Sequence, residues 1–293
     1  MGYLKEKGKT FLFNLTYLLY KKGIISNKLR INSIDQTIDT LIDSKDSFVR
    51  FGDAEIRIIE GNTTKFQDYD QALAKRLFEI LQYKQENMLV GIPDIFGSLD
   101  QYTDKSKAFW TEHLFFSRKT YLKYCNQDKV YENAFFSRLY YIYKDREQSG
   151  RWFKRVKEIW RDRDIVIVEG EGTHTGVGND LIDTAASVER VLCPALNAYL
   201  VYPDIRQACF TFGKDKLFLL AAGNTAKLLV SDLTKEGYRA IDIGNLDMEY
   251  EWYLRQDKQK GEIEKHGIIG IKANEEAGYF EYLSQIKKQI VKR

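Results

Sequence analysis

Short apolar runs that end in Gly, Asp or Asn alternate along the chain with longer segments of helical periodicity. The short runs predict strands at residues 47–51, 88–92, 165–168, 217–221 and 240–243, and a weaker one at 190–193. Apolar positions at helical spacing predict helices at residues 70–83, 106–123, 133–143, 152–161, 180–189 and 225–235. This alternation is typical of an α/β fold, so we predict a Rossmann-like, mostly parallel sheet flanked by helices.

The basic residues are concentrated at one end of the chain. Lys and Arg total 45 against 42 Asp and Glu, a net charge of +3 that is too small for a protein that binds nucleic acid through its phosphates. Residues 1–30 nevertheless hold seven basic residues and one acidic residue. A helix would place the apolar side chains of this segment on one face, namely Leu4, Phe11, Leu15, Leu18 and Leu19. We therefore predict a basic amphipathic arm at residues 1–30, which either contacts anionic membrane or folds onto a single domain at residues 31–293.

The cysteines and the apolar runs indicate the compartment. Cys125, Cys193 and Cys209 are widely spaced and odd in number, which fits neither a disulfide framework nor a zinc site. The first apolar run is followed by Lys21 and Lys22 where a signal peptide would have small residues. No run approaches the roughly 18 apolar residues of a membrane-spanning helix. We expect a cytoplasmic location, at the inner face of the cell membrane if the arm binds lipid.

Three polar segments follow predicted strands, where parallel sheets bind their ligands. The first contains Asp53 and Glu55 directly after the strand at residues 47–51. If the backbone is still extended there, both carboxylates point to the same side and can face one ion. Mg²⁺ or Mn²⁺ on a nucleotide diphosphate needs only one or two carboxylates besides the phosphate oxygens. The pair predicts a metal site, and a polar strand end is the alternative because such spacing is common by chance.

The second segment is a glycine-dense loop at residues 170–180. Glycines let backbone N–H groups approach a phosphate, and a helix beginning near Asp180 would add favourable partial charge. The spacing departs from the dinucleotide fingerprint, because Gly172 and Gly176 are four positions apart, and Glu171 places an anion where a pyrophosphate would dock. A nucleotide-dependent oxidoreductase is therefore the weaker alternative. A ribose, a base or a metal-linked phosphate fits the loop, and a flexible turn without a ligand is the bland alternative.

The third segment, residues 240–252, presents Asp247, Glu249 and Glu251 beside Tyr250 and Trp252. Sugars are commonly held by aromatic faces and carboxylates, and a carboxylate can act as the general base for an acceptor hydroxyl. We favour Glu249 as this base because of its longer side chain, with Asp247 as the second candidate. An acidic surface turn next to a buried Trp is the alternative.

Two other residues have less specific signals. Arg138 lies in an aromatic segment, where it can pair with a diphosphate or, as we prefer, with an acid at the edge of the core. Among the three histidines only His174, inside the glycine loop, is a site candidate, and we expect no chemistry from His113 or His266.

Together these segments resemble the bacterial glycosyltransferases of the GT-D fold, over roughly residues 47–252. The resemblance implies Mn²⁺ or Mg²⁺ at Asp53 and Glu55, a UDP-sugar donor with glucose or galactose, and a glycan acceptor on a lipid carrier or a glycoprotein in surface glycan biosynthesis. It also implies nucleotide-sugar contacts from Arg50, Gly52, Gly170, Glu171, Gly172, Gly176, Gly178, Asn179, Asp180, Asn197 and Gly223.

One position departs from the family pattern. Where many relatives carry His after the glycine of the third segment, this chain has Asn245, which can hydrogen-bond but cannot take a proton. A role that rests on that imidazole is therefore in doubt. A non-catalytic nucleotide-sugar or glycan-binding partner of another transferase is the alternative from a different functional class.

Overall fold

A parallel sheet forms the centre of the computed structural model, which describes residues 2–25, 29–263, 265–266 and 278–291. All nine strands found in these ranges run parallel, in the order β1-β4-β3-β2-β8-β7-β5-β6-β9. They are β1 (Arg30–Ile31), β2 (Ser47–Arg50), β3 (Met88–Ile92), β4 (Val130–Asn133), β5 (Asp164–Gly170), β6 (Ser187–Cys193), β7 (Leu217–Ala221), β8 (Arg239–Asp242) and β9 (Ile286–Gln289). The predicted fold class is confirmed, and the sheet is wholly parallel.

Helices cover both faces of this sheet, as parallel connections require. They are α1 (Gly2–Lys21), α2 (Ile34–Asp43), α3 (Asp53–Ile59), α4 (Gln71–Leu81), α5 (Asp104–Tyr124), α6 (Glu147–Val156), α7 (Tyr202–Cys209), α8 (Thr225–Lys235), α9 (Leu246–Leu254) and α10 (Tyr279–Gln285). Three of them, α4, α5 and α8, agree with the periodicity. Side chains fix two of these starts, because Asp70 accepts a hydrogen bond from the amide of Leu73 and Thr103 accepts one from the amide of Ser106.

The core lies in the middle strands, which are buried on both faces. Phe48 and Val49 of β2 and Val166 and Ile167 of β5 are fully buried. Such strands read as continuous apolar runs, which is why β2, β3, β5 and β7 could be recognised in the sequence. Strands β1, β4 and β9 were missed, since β1 has two residues and β9 is the polar edge segment Ile286–Gln289.

The helix predicted at residues 133–143 is wrong. The structure has the end of β4, a 3₁₀ turn at Ala134–Ser137 and then irregular backbone. Asn133 ends the strand and accepts a hydrogen bond from the amide of Phe135 through its own side chain. Phe136 and Tyr140 are buried, as are nearly all residues of the segment, so the spacing of its apolar residues did not mark the buried face of a helix.

The helix predicted at residues 180–189 is also wrong. Turns lead from the glycine loop into β6, which begins at Ser187 and pairs along its length with β5. A buried salt bridge also joins Arg190 of β6 to Glu169 of β5, with 2.7 Å between Nη1 and Oε1. Tertiary pairing thus determines the structure of a segment whose apolar spacing also suited a helix.

The predicted basic arm contains α1, which packs against α5. Tyr17 is buried and its hydroxyl accepts a hydrogen bond of 2.8 Å from the amide of Leu99. Phe13 contacts Phe115 with 4.8 Å between ring centroids. The side chain of Leu4 lies outside the described part of the structure. None of the helices in the described ranges combines the length and the apolar character needed to cross a membrane.

Candidate functional site

A cavity of about 720 Å³ opens at the carboxyl ends of β2, β5, β7 and β8. Its position agrees with the expectation that ligands bind at this edge of a parallel sheet. The cavity brings together most of the predicted site residues, namely Arg50, Gly52, Asp53, Glu55, Gly170, Glu171, Gly172, Gly223 and Asp247.

The acidic pair lies on a helix and not on an extended strand end as predicted. Asp53 is the first residue of α3, and Gly52 precedes it as the N-terminal cap. The Glu55 carboxylate folds back on the cap, where Oε2 accepts a hydrogen bond of 2.7 Å from the Gly52 amide. The two carboxylates therefore have different environments, and Glu55 is buried whereas Asp53 is partly exposed.

A buried lysine that the sequence analysis missed holds Glu55 in place. Nζ of Lys227 lies 3.0 Å from Oε1 of Glu55 and 3.0 Å from Oδ2 of Asp242. Asp242 in turn pairs with Arg50, with 2.9 Å between Oδ1 and Nη2. Burial alone would lower the pKa of Lys227, but the charges of Asp242 and Glu55 outweigh it and raise that pKa. We call Arg50, Glu55, Lys227 and Asp242 the charged floor, in which two cations balance two anions.

Asp53 is different because no side chain of another described residue donates a hydrogen bond or forms a salt bridge to it. Burial, and then the nearby charge of Glu55, raises its pKa above the usual range for an aspartate. A cation would relieve both causes, so Asp53 fits a metal ligand. Both oxygens of Glu55 already accept hydrogen bonds, from Gly52 and from Asn224. The described residues include no group of three or more metal-ligating side chains, so a metal would depend on substrate oxygens for further ligands.

Two arginines stand beside Asp53. The positive charges of Arg138 and Arg57 lower the pKa of Asp53 and oppose the effect of burial. Arg138 also lies 3.5 Å from Oε1 of Glu249, so it both pairs with an acid, as preferred in the sequence analysis, and lines the cavity. Arg57 is exposed and also lines the cavity. The cavity therefore presents positive charge next to an unpaired carboxylate.

Asp247 is held by many donors at the edge of the cavity. Its carboxylate accepts hydrogen bonds from the Gly176 amide at 2.8 Å and the Asn179 side chain at 2.9 Å, and it pairs with Lys265 at 2.9 Å. It also contacts His266, with 2.7 Å between Oδ2 and Nε2. Burial would raise the pKa of Asp247, but His266 and Lys265 hold it well below the usual range. A carboxylate with so low a pKa is a weak base at neutral pH.

Glu249 is fully buried, and it is not among the residues that line the cavity. Its Oε2 accepts hydrogen bonds from the amides of Tyr140 at 3.1 Å and Tyr141 at 2.8 Å. These contacts fix the irregular segment that carries Arg138. The assignment of Glu249 as the acceptor base stays a prediction, and its geometry favours a positioning role.

The glycine loop divides between two surfaces. Gly170, Glu171 and Gly172 line the cavity, whereas Gly176, Gly178, Asn179 and Asp180 line a separate groove beside α10. A Cβ at Gly176 would overlap Ile182, so this glycine is required by packing. Asp180 pairs with Lys157 at 2.7 Å. The second half of the loop thus shapes the fold and is not brought into the cavity.

Two other predicted residues lie outside the cavity lining. Asn197 has left-handed backbone and hydrogen-bonds through its side chain to the amide and carboxylate of Asp68. His174 is buried, its Nδ1 is 2.5 Å from the carbonyl oxygen of Lys265, and burial lowers its pKa. His266, from which no chemistry was expected, is the histidine that lines the cavity. Only its distance from Asp247 identifies it, since nothing in the local sequence marks it.

The family model described as "Glycosyltransferase GT-D fold" matches residues 48–269. The chain belongs to this GT-D family. Family membership and the predicted enzyme class, a glycosyltransferase, are confirmed, and the oxidoreductase alternative is abandoned. The glycine loop agrees, because no helix follows it in the manner of a dinucleotide site.

Two curated streptococcal proteins are similar to the GT-D chain. The chain is 40% identical over 227 residues to the "Probable glycosyl transferase Gly" of Streptococcus gordonii, and this match covers 77% of the chain and 33% of that protein. The chain is 36% identical over 261 residues to "Glycosyltransferase GlyD" of Streptococcus pneumoniae serotype 4, and this match covers 88% of the chain and 32% of that protein. The chain thus spans about one third of the length of these relatives.

Solved structures match nearly the whole GT-D chain. A structure described as a domain of unknown function 1792 with a distinct glycosyltransferase fold is 34% identical, with a TM-score of 0.86 over 94% of this chain and 100% of that one. A glycosyltransferase with the same domain from Streptococcus sanguinis is 35% identical, with a TM-score of 0.83 over 89% of this chain and 99% of that one. These similarities support the strand order and the helical cover described above.

Proposed function

We propose that the chain transfers a hexose, glucose or galactose, from a UDP-sugar to a glycan acceptor, and that the reaction requires Mn²⁺ or Mg²⁺. The observation that carries the proposal is the unpaired carboxylate of Asp53 beside Arg57 and Arg138 in the cavity. A metal-bound diphosphate matches this arrangement, since the carboxylate suits the cation and the guanidinium groups suit the phosphates.

The chain's own groups would contribute to donor binding in four ways. Arg57 and Arg138 would bind phosphate oxygens, and Asp53 would hold the metal, which when bound supplies positive charge to the departing UDP. Gly223 has left-handed backbone with open space where a side chain would be, so a ligand can approach its main chain closely. Trp110 and Phe135, also in the lining, would exclude water from the sugar.

The acceptor hydroxyl must lose a proton during transfer. Glu249 and Asp247 are the predicted bases, although the first lies outside the cavity lining and the second has a strongly lowered pKa. The acceptor is proposed to be a glycan on a lipid carrier or a glycoprotein, in a pathway that builds bacterial surface glycans in the cytoplasm. The names of the streptococcal relatives support glycosyl transfer, and the acceptor class rests on the family resemblance.

Calorimetric titration with UDP, with and without Mn²⁺, tests the metal site. We expect Asp53→Asn to abolish the Mn²⁺-dependent part of the affinity and to leave the fold intact, because Asn keeps the shape and no other side chain of the described residues pairs with Asp53. Asp104→Asn is the matched control, since Asp104 is also the first residue of its helix and its side chain is 94% exposed. Unchanged Mn²⁺ dependence in the Asp53 variant would refute the assignment.

The same titration does not suit Glu55→Gln as a simple test. Glu55 is paired with the buried Lys227, so Glu55→Gln would also affect the stability of the fold. Metal-dependent release of UDP from a panel of UDP-sugars is the test of the reaction itself. Binding of a UDP-sugar without release or transfer would favour the non-catalytic binding partner.

A further inference from the structure

Large apolar side chains are exposed on α1 and on the neighbouring side of α5. On α1, Phe11, Leu15 and Leu18 recur at intervals of four and three residues and are 69%, 42% and 48% exposed. On α5, Phe116 is 63% exposed, and its ring centroid lies 5.6 Å from that of Phe13 on α1. Exposed apolar side chains therefore lie on both of these packed helices. We call them together the α1–α5 surface and define it by Phe11, Leu12, Leu15, Leu18 and Phe116.

The exposed apolar residues of α1 are additional to those that α1 packs against the domain. The inward side of α1 has its own aromatic residues, Phe13, Tyr17 and Tyr20, again at intervals of four and three. Tyr17 is buried, and Tyr20 packs beneath the guanidinium of Arg118 at 4.7 Å from its ring centroid. Both sides of α1 are thus apolar, and contiguous exposed apolar patches on soluble proteins usually mark an interaction site.

The charge around the α1–α5 surface indicates its partner. Lys22 follows Leu18 by one turn, and Lys119 and Lys123 follow Phe116 on the exposed side of α5. The exposed acid Glu112 precedes Phe116 by one turn, so lysines outnumber acids by two to one on this side of α5. The exposed carboxylate of Asp100 is already paired with Lys21 and Lys107. Apolar side chains bordered by lysines are characteristic of helices that lie in the interface of an anionic bilayer. We propose that the α1–α5 surface binds an anionic lipid bilayer, with the apolar residues at the level of the acyl chains and the lysines among the headgroups.

Helix α5 carries residues of both the α1–α5 surface and the cavity. Phe109 lies two turns before Phe116 on α5 and is 47% exposed. Its ring meets that of Trp110, which lines the cavity, edge to face at 5.0 Å. Binding through α5 would therefore bring the cavity near the lipid surface. The proposal itself does not depend on the reaction, since the surface would bind lipid whether or not a sugar is transferred.

Vesicle co-sedimentation of the full chain tests the proposal. We expect binding to vesicles that contain phosphatidylglycerol and none to vesicles of phosphatidylcholine alone. Replacing both Phe11 and Leu15 by Glu should lower the partition coefficient at least about tenfold, because apolar area is lost and charge is reversed. Leu200→Glu is the matched control, since Leu200 is also 69% exposed but lies in the 3₁₀ turn Ala198–Val201, and it should bind like the parent.

Thermal melts and UDP binding show that each variant is folded. Equal vesicle binding by the parent and the doubly substituted chain would overturn the proposal, as would an absence of binding by the parent to anionic vesicles. Sedimentation velocity identifies the main rival. If the parent forms dimers, ignores vesicles and becomes monomeric on double substitution, the α1–α5 surface is an interface between copies of the chain.

Discussion

Lys227 gives the sharpest prediction, because its charge stabilises two buried carboxylates at once. Replacing it with Met keeps most of the volume and removes the charge. At an effective dielectric of 20, a pair of charges 3.0 Å apart interacts by about 5.5 kcal/mol, which is the gross attraction to Glu55 alone. Asp242 keeps Arg50 at 2.9 Å, so the loss falls mainly on Glu55.

The chain can limit this loss by taking up a proton. Protonating an ordinary glutamate at pH 7 costs about 3.7 kcal/mol, and at pH 5 about 1 kcal/mol. We therefore expect Lys227→Met to lower the free energy of unfolding by about 3–4 kcal/mol at pH 7, in the range for a broken buried pair, and by much less at pH 5. The sign follows from linkage, because an unpaired buried carboxylate has a raised pKa and its cost grows as pH rises.

Urea denaturation at the two pH values measures both losses. A second substitution, Glu55→Gln in the Lys227→Met background, should recover much of the stability at pH 7, since it removes the unpaired charge. A loss below about 1 kcal/mol at pH 7 would contradict the buried pairing. So would a loss that is equal at pH 5 and pH 7.

Three other predictions follow from single residues. Gly244→Ala should lower the free energy of unfolding in urea by about 2–3 kcal/mol, since its Cβ would displace the Arg50 guanidinium. Gly223 has a similar left-handed backbone but open space around it, so Gly223→Ala should lower that free energy by only about 1 kcal/mol. Equal losses would show that Arg50 moves freely. Burial lowers the pKa of His113 from 6.5 to about 4, so its contribution to stability is present above pH 6.5 and lost as pH falls towards 4. Between pH 7 and pH 4 the parent should therefore lose about 3 kcal/mol more than His113→Gln, and equal acid sensitivity would refute this. The contacts of Glu249 lead us to expect that Glu249→Gln lowers the free energy of unfolding by about 1–2 kcal/mol and keeps turnover within tenfold of the parent. If Glu249 were the base, the same substitution would instead lower turnover at least about 100-fold and leave UDP affinity and stability unchanged.

The parts of the fold that the sequence could predict are those with an unambiguous local pattern. The run at residues 217–221 is buried on both faces and matches β7 to the residue. The helix at Thr225–Lys235 has a clear apolar face and was predicted with the same bounds. Nearly all residues at positions 133–143 are buried, so the apolar sequence there indicated a core position but not the backbone conformation.

The site was predictable in location but not in its contacts. Asp53 and Glu55 were recognised by their position after a strand. Their environments differ because Oε2 of Glu55 accepts a hydrogen bond from the Gly52 amide, which the local sequence does not reveal. Lys227 occupies an ordinary position in an amphipathic helix, and its partners are distant in the chain. Residues that acquire a role only through such distant partners, including His266, cannot be identified from local spacing.

The charged floor separates stability from ligand binding, two properties that proteins often have to trade against each other. Arg50 and Lys227 neutralise Glu55 and Asp242, so this layer secures α3 and α8 to the sheet without favouring a ligand of either sign. The residues above it, Asp53, Arg57 and Arg138, are those to which the proposed function assigns the metal and the phosphates. Under the proposed function, substitutions at Asp53 or Arg57 would change donor binding while the paired charges beneath them keep the scaffold stable.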